Sequence, residues 1–433
     1  MKDYHIITFI GTGNYLPCQY TIENFSYSTS LSSVALGEFL ASKTEHTSSI
    51  RVSVLTTPTA RALGKTELFE KEWKLPEKPE FPEIPETGEE EGYWQIFETI
   101  RDLSRPNEVI WLDITHSFRY LPMLGFATCQ YLQTIRGIEI GKIVYGAAEK
   151  LGKIDSVPEK DRIVPIQDLT PFLTVNQWTM ALDDFNRNGS AQQIHDLVRQ
   201  KTLPIKKETR GKDESANALD FLARNLLEWS EDIYTVRGPA IQQSKLGERI
   251  PEQVNQIRPE LVPALQPEFR KMERLFGQLK EGHVSNLFFA ADWCREKGLV
   301  QQGWTFLQEG LITYFEESWQ VDFENVGIRQ RDHRKWATSL LAVSAKSEPP
   351  ENWDKPLSQN LAFAKQLHAT IPPCVSEEYR ELIKSRNDIN HCGFTSNSAR
   401  ASKLIKNLCR SLENLRRELP HLFPQNPQQP DPS

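Results

Sequence analysis

The sequence predicts an α/β Rossmann-like N-terminal domain with a mostly parallel sheet, followed by an all-α C-terminal region. Three observations carry that expectation. Short β-rich runs alternate with helical patterns up to about residue 172, the signature of crossover connections between parallel strands. From Val175 onward the β signal stops and the text is helical. The chain has 433 residues, more than one core usually serves, so two or three domains are expected.

HIITFIG is a first strand-like run, ending at Gly11, and RVSVLTT is a second, closed by Pro58. EVIWLDIT is a third, and GIEIGKIVYGAAE supplies one or two more. Helical patterns lie between them in SSVALGEFLASK, YWQIFETIRDLS and LPMLGFATCQYLQTI. Leu75 to Gly92 interrupts the alternation. Its prolines recur every third residue and it is rich in glutamate, so it reads as an extended solvated loop without chemistry. The helical part contains NALDFLARNLLEWSEDIY and PEFRKMERLFGQLK, with the Pro-containing break RIPEQVNQIRPELVP. A second helical block starts near Gly282. The expected division is 1–172, 173–280, 281–420 and a disordered tail at 421–433.

Hydrophobic residues make up 39%, enough for packed cores. No apolar run approaches the ~20 residues needed to cross a bilayer, and the N-terminus lacks a signal-peptide cleavage pattern. A soluble, cytoplasmic protein with no membrane partner is expected. Cys18, Cys129, Cys294, Cys374, Cys392 and Cys409 form no CxxC and no zinc spacing, which suits reduced thiols in the cytosol. Cys392, beside His391, is a weak candidate nucleophile, since a thiolate also needs a positioned base. The net charge of −7 argues against a dedicated duplex-DNA binder but leaves room for a local basic groove.

Two loops follow strands. In Gly11-Thr12-Gly13-Asn14-Tyr15, glycines at a strand's end let backbone N–H groups approach an anion or nucleotide. The third glycine of a dinucleotide fingerprint is missing, no GK[ST] follows, and a plain tight turn is an equal reading. The loop Asp113-Ile114-Thr115-His116-Ser117-Phe118-Arg119-Tyr120 precedes a helix opening near Pro122, the place where parallel sheets bind ligands. Thr115, His116 and Ser117 offer hydrogen bonds, and Arg119 can clamp a phosphate or stack on a base. Equally, Asp113 and Thr115 could merely cap the helix.

In SRNDINHCGF, Arg386 and His391 stand five residues apart. Ser376 reads as the N-cap of the preceding helix and Gly393 as its stop, which puts the motif at a helix end. Five residues rotate a helix by about 140° beyond one turn, so the two side chains do not share a narrow stripe. Arginine's reach, an unwound end or a second copy of the chain could bring them together. The chemistry suits RNA cleavage. The ribose 2′-OH attacks the neighbouring phosphorus, histidine moves protons, and arginine meets the charge developing on the phosphate. Asn387 could position either partner. The products would be a 2′,3′-cyclic phosphate and a 5′-hydroxyl, and DNA would be spared. His283 reads as a surface or capping residue more readily than as part of a cleft. His5, His46, His195, His333, His368 and His421 show no partner pattern, and no metal is expected. The aromatic residues of LFFAADW and GWTFL read as core.

GTGNY, DITHSFRYLPM and YGAAE together resemble CARF sensor domains, the CRISPR-associated Rossmann-like domains of type III ancillary proteins, over residues 4–150. The resemblance implies a homodimer, or a higher oligomer, that binds one cyclic oligoadenylate across its two-fold axis. Cyclic tetra-adenylate is the expected ring and the hexa-adenylate the second. It implies that Gly11, Thr12, Gly13 and Asn14 line the ring's edge while Thr115, His116, Ser117 and Arg119 face its phosphates. Some members of that family also cleave their activator slowly. Arg386, Asn387 and His391 match the R-x4–6-H motif of HEPN nucleases, and ADWCREKGLVQQGWTFLQEGLITYF resembles the first helices of HEPN domains, over residues 280–420. Both resemblances in one chain imply a CARF–HEPN ribonuclease of the Csx/Csm effector group. It would be a metal-independent endoribonuclease on single-stranded RNA, activated by cyclic oligoadenylate without other cofactor, in antiviral defence. One alternative is a non-catalytic CARF regulator whose helical half binds nucleic acid or protein. Another is an unrelated nucleotide-binding enzyme, disfavoured by the missing third glycine.

Overall fold

The computed structural model describes residues 2–44, 49–86, 88–117 and 120–423. The chain divides into two compact units, 1–176 and 177–433, with the break inside the helix Pro171–Asn188. Among the described residues no helix is long and apolar enough to cross a membrane.

The first unit is a seven-stranded sheet. Its strands are β1 (Asp3–Ile10), β2 (Cys18–Ile22), β3 (Phe25–Thr29), β4 (Ile50–Thr56), β5 (Glu108–Asp113), β6 (Glu139–Gly146) and β7 (Ile163–Asp168). They lie in the order β3-β2-β7-β6-β5-β1-β4. The pairs β1–β4, β1–β5, β5–β6 and β2–β7 are parallel, whereas β2–β3 and β6–β7 are antiparallel. The sheet is therefore mostly parallel, as the alternation of elements predicts. Strands β2, β3 and β7 were not foreseen: CQYTI and FSYST are short and polar, and IVPIQD carries a proline.

The central strands are buried on both faces, as parallel sheets require. Alternate residues serve different layers. Ile6, Val52, Val54, Val109 and Trp111 pack with Val34, Phe39 and Leu40 of the helix Ser32–Lys43. Ile7, Phe9, Leu55, Ile110 and Leu112 pack with Ile96, Ile100, Cys129 and Leu132 on the other side. These last four lie on the helices Glu90–Leu103 and Leu121–Arg136.

The stretch from Leu75 to Gly92 corrects the sequence reading. Apart from Thr87, which lies outside the described residues, it is irregular or extended up to Glu89, opens the helix Glu90–Leu103 at its end, and is only partly solvated. The backbone N–H groups of Val54 and Thr56 donate to the carbonyls of Glu80 and Pro82, and those of Glu80 and Ile84 donate to Val52 and Thr56, at 2.8–3.0 Å. Ile84 is buried. The segment thus covers the outer edge of β4, and prolines that cannot donate suit such an edge.

His5 of β1 is fully buried, with Nε2 at 2.9 Å from the Ser53 hydroxyl. Glu108 stands 3.7 Å from its Nδ1 but is already held by Arg51 at 2.6 Å. Desolvation, with Arg51 and Arg105 adding to it, pushes the ring's pKa well below the ordinary 6.5. The unfolded chain then takes up the proton first as pH falls, so this histidine costs stability progressively below about pH 6.5 and nothing above it. The expected result is that the urea midpoint of the wild-type chain drops more between about pH 7.5 and 5.5 than that of His5→Gln. Equal drops in the two proteins would show that His5 titrates normally.

The second unit is helical. One continuous apolar core runs from Trp178 to Phe423. Packing does not break near residue 280, where the sequence suggested a domain boundary. Trp229 of the helix Glu214–Tyr234 packs against Phe276, and also against Phe289 and Trp293 of the helix Ser285–Glu296. Leu422 and Phe423, placed in the tail by sequence, are part of this core: both are buried, and Phe423 meets Phe288 at 5.2 Å. Residues 424–433, the rest of the expected tail, lie outside the described residues.

Candidate ligand and nuclease sites

Because β1 and β5 are adjacent and parallel, their C-terminal loops emerge side by side. Gly11 and Tyr15 tie the first loop: the Gly11 N–H donates to the Tyr15 hydroxyl at 2.8 Å, and that hydroxyl donates to the Gly11 carbonyl at 2.9 Å. Burial raises the Tyr15 pKa to about 12. The Tyr15 ring meets the His116 ring edge-on at 4.6 Å, which joins the two loops. A Cβ on Gly11 would stand 3.4 Å from the His116 carbonyl, so a side chain there would press on the second loop. Gly11 is buried and structural, whereas Thr12, Gly13 and Asn14 are exposed.

Asp113 anchors the second loop. It is fully buried, and one carboxyl oxygen accepts from the Thr115 N–H at 3.0 Å and the Thr115 hydroxyl at 2.5 Å. The other accepts from Ser32 at 2.6 Å and Thr8 at 3.3 Å. The Thr115 hydroxyl accepts from the Gly146 N–H at 2.8 Å, which ties in the end of β6. His116 Nε2 accepts from the Ser32 N–H at 3.3 Å, at the start of the helix Ser32–Lys43. Desolvation lowers its pKa, against the opposing pull of Asp113, and a neutral ring suits that acceptor role. Ser117 donates to the Ile114 carbonyl at 2.7 Å. Arg119 and Phe118 lie outside the described residues, as does His46. Asp113 and Thr115 do not cap the following helix, whose N-cap is Tyr120 with no side-chain cap. They lock the loop instead. Ser32 escaped the sequence reading because nothing local marks it.

In the second unit, Arg386 and Asn387 lie on the helix Pro373–Asn390. The helix starts at Pro373, not at Ser376: Pro372 is the N-cap, and the Ser376 hydroxyl pairs with that of Ser344 at 2.5 Å. Proline at the first helical position, preorganised in φ, sets the earlier start. The motif does close the helix. His391 is the C-cap, and Cys392 and Gly393 follow with φ of 53° and 75°.

The structure places the three motif residues in different surroundings. Arg386 is half-buried in a cleft of about 840 Å³ with Glu309, Glu316, Glu317 and Arg334. It donates to Gln308 at 3.1 Å and to Glu309 at 3.4 Å, and Glu309 is shared with Arg334 at 2.5 Å. Asn387 lines another pocket, of about 470 Å³, walled by residues 395–400. His391 is exposed at the helix end. At 100° per residue, His391 falls on the Asn387 side, about 140° from Arg386. On the helix the two side chains therefore leave from different sides.

Asp388, unnoticed in the sequence, is buried and shapes this end of the helix. Its carboxyl oxygens accept from the Thr395 hydroxyl at 3.0 Å and the Ala399 N–H at 2.8 Å. His283 is engaged locally with Ser285 at 2.6 Å, as a surface role predicts. His333 is a core residue, bonded to the Ile328 carbonyl at 3.0 Å and packed on Phe323.

Residues 5–149 match the family described as "CRISPR system endoribonuclease Csx1, CARF domain". The N-terminal unit is a CARF domain. A curated relative, CRISPR-associated protein MJ1674 of Methanocaldococcus jannaschii, is 24% identical over 157 residues. That stretch is 35% of this chain and only 22% of the relative's length, so the likeness covers about a fifth of that protein. The solved structure of Enterococcus italicus Csm6 bound to cyclic hexa-2′-fluoro-hexa-dAMP is similar over 97% of this chain and 95% of that one. The sequence identity there is 11% and the TM-score 0.42. Within the CARF unit, the matched region includes both loops that meet through Tyr15 and His116.

Proposed function

We propose that the chain is a metal-independent endoribonuclease of type III CRISPR defence, acting on single-stranded RNA in the cytoplasm and switched on by a cyclic oligoadenylate. The observation that carries this reading is a CARF unit with paired loops at its sheet edge, joined to a helical unit that ends one helix in Arg386, Asn387 and His391. Thr12, Gly13 and Asn14 are free to meet the ring, cyclic tetra-adenylate being the first candidate. Thr115, His116 and Ser117 form the opposite wall, after a local exchange of the hydrogen bonds that now hold them, and Arg119 is the phosphate-binding residue that the motif adds. The helical half is a HEPN nuclease in which two copies of the chain supply Arg386 and His391 to a shared centre. Ligand binding alters the pairing only if the ring binds the two arrangements differently.

The chemistry follows from the residues. His391, exposed at the helix end, passes the proton from the 2′-OH to the leaving 5′-oxygen. Arg386 offsets the charge that builds on the non-bridging oxygens. For Arg386 to act so, its contact with Glu309 has to loosen or be shared with the phosphate.

That ion pair favours a second reading, a CARF regulator whose helical half binds RNA or protein without cutting. One experiment separates the two. Single-stranded RNA is incubated with the chain, EDTA and each cyclic oligoadenylate in turn. The nuclease reading expects cleavage with one ring size and fragments ending in 2′,3′-cyclic phosphate. Ring binding without any cleavage would leave only the regulator.

A further inference from the structure

We infer that the pocket between the motif helix and the helix Ala401–Glu418 is the seat of an RNA nucleotide beside His391. The inference rests on the nuclease reading and adds the substrate subsite that the R-x4-H motif does not supply.

The pocket encloses about 470 Å³, within the ~300–1,000 Å³ range of small-ligand sites and large enough for one nucleotide. Its lining is polar, and three cations reach it: Lys384, Arg400 and Lys403. All three are exposed, and none makes an ion pair among the described residues. The two acids in the wall are already committed. Glu381 accepts from Asn407 at 2.6 Å and Ser385 at 3.2 Å, and Asp388 holds Thr395 and Ala399. These carboxyls are held by neutral donors, so the wall carries three cations against two carboxylates and stays net positive.

The Arg386 cleft is the opposite case. There Arg334 and Arg386 are matched by Glu309 and Glu316, with Glu317 adjacent. A phosphodiester entering that cleft must displace carboxylates, whereas one entering the Lys384 pocket meets unpaired positive charge. The helix geometry agrees, because His391 lies on the side of Asn387 and Lys384. The amides of Asn387 and Asn397 provide donors and acceptors for a base edge, and unstacked bases of single-stranded RNA are read in this way.

The test uses the full-length chain with cyclic tetra-adenylate and a fluorescein-labelled, 2′-O-methyl single-stranded RNA that cannot be cleaved. Anisotropy is read across a salt titration. The double variant Lys384→Ala/Lys403→Ala should bind about tenfold more weakly or worse, and its log K against log salt slope should shrink by about 1.4, roughly 0.7 for each lost phosphate contact. Lys365→Ala, an exposed cation on another helix, should match the wild type. Asn397→Ala should keep the wild-type salt slope and shift the base preference seen in cleavage maps of natural RNA. If the double variant retains wild-type affinity and slope while the wild type still cuts RNA, the pocket is overturned and the nuclease reading stands. A wild-type chain that neither binds nor cuts RNA with any ring size overturns both.

Discussion

His391→Ala is expected to lower activated RNA cleavage by about 10²- to 10⁴-fold, the usual contribution of a positioned general acid–base group, while leaving the affinity for the cyclic oligoadenylate unchanged. The separation is clean because of where His391 sits. It is exposed, and its backbone closes the helix through Asn387 and Phe394, contacts that alanine keeps. Surface changes of this kind cost about 0.5 kcal/mol or less, so a lost rate reports on chemistry and not on folding. Arg386 is a less direct probe. Its removal also frees Glu309 and Gln308, so a drop in rate mixes catalysis with rearrangement of the cleft. The checking measurement pairs initial cleavage rates with calorimetric titration of the ring. Unchanged cleavage by the alanine variant would remove His391 from the mechanism.

Asp113→Ala is expected to destabilise the CARF unit by roughly 3 kcal/mol or more and to weaken the ring's binding at least tenfold. The buried carboxyl accepts from Thr8, Ser32 and Thr115. Removing it strands donors, each costing about 1–3 kcal/mol when buried and unsatisfied. It also cuts one of the two links between the second loop and the helix Ser32–Lys43, leaving the Ser32 N–H bond to His116 to hold the loop to that helix. Ser117→Ala, which loses one contact to the Ile114 carbonyl, should cost only about 1 kcal/mol. Urea unfolding followed separately for the two units, with ring titration on the same proteins, measures both effects. Equal midpoints for wild type and Asp113→Ala would mean that the loop holds itself without this anchor.

Much of the first unit was legible because strong local signals coincide with its core. HIITFIG, RVSVLTT and EVIWLDIT are apolar enough to be buried strands, and the first two are closed by Gly11 and Pro58. The edge was not legible. The β2–β3 hairpin turns through Glu23-Asn24, with Glu23 at a φ of 52°, and lacks the glycine that completes the Asn-Gly or Asp-Gly pair of a tight hairpin. The proline-rich strap looked solvated because pairing to β4 uses carbonyls and alternate N–H groups, which leave no mark in composition.

At the candidate sites the same division holds. The loops were visible as motifs, but the contacts that join them pass through Tyr15, Ser32 and Asp113, residues far apart in sequence. In the helical unit the rotation between Arg386 and His391 followed from helix geometry alone. The partner of Arg386 did not, since Glu309 lies 77 residues away. Nor could periodicity reveal that residues on either side of position 280 share one core, because each helix has an apolar face whichever neighbour it meets.

The most direct measurement is a titration of one preparation of the full-length chain with cyclic tetra-adenylate, reading bound ring and RNA cleavage rate together in the presence of EDTA. Both signals are expected to rise in step and to saturate at one ring for every two chains. Saturation of the ring-binding signal with the cleavage rate still at its basal level would contradict it.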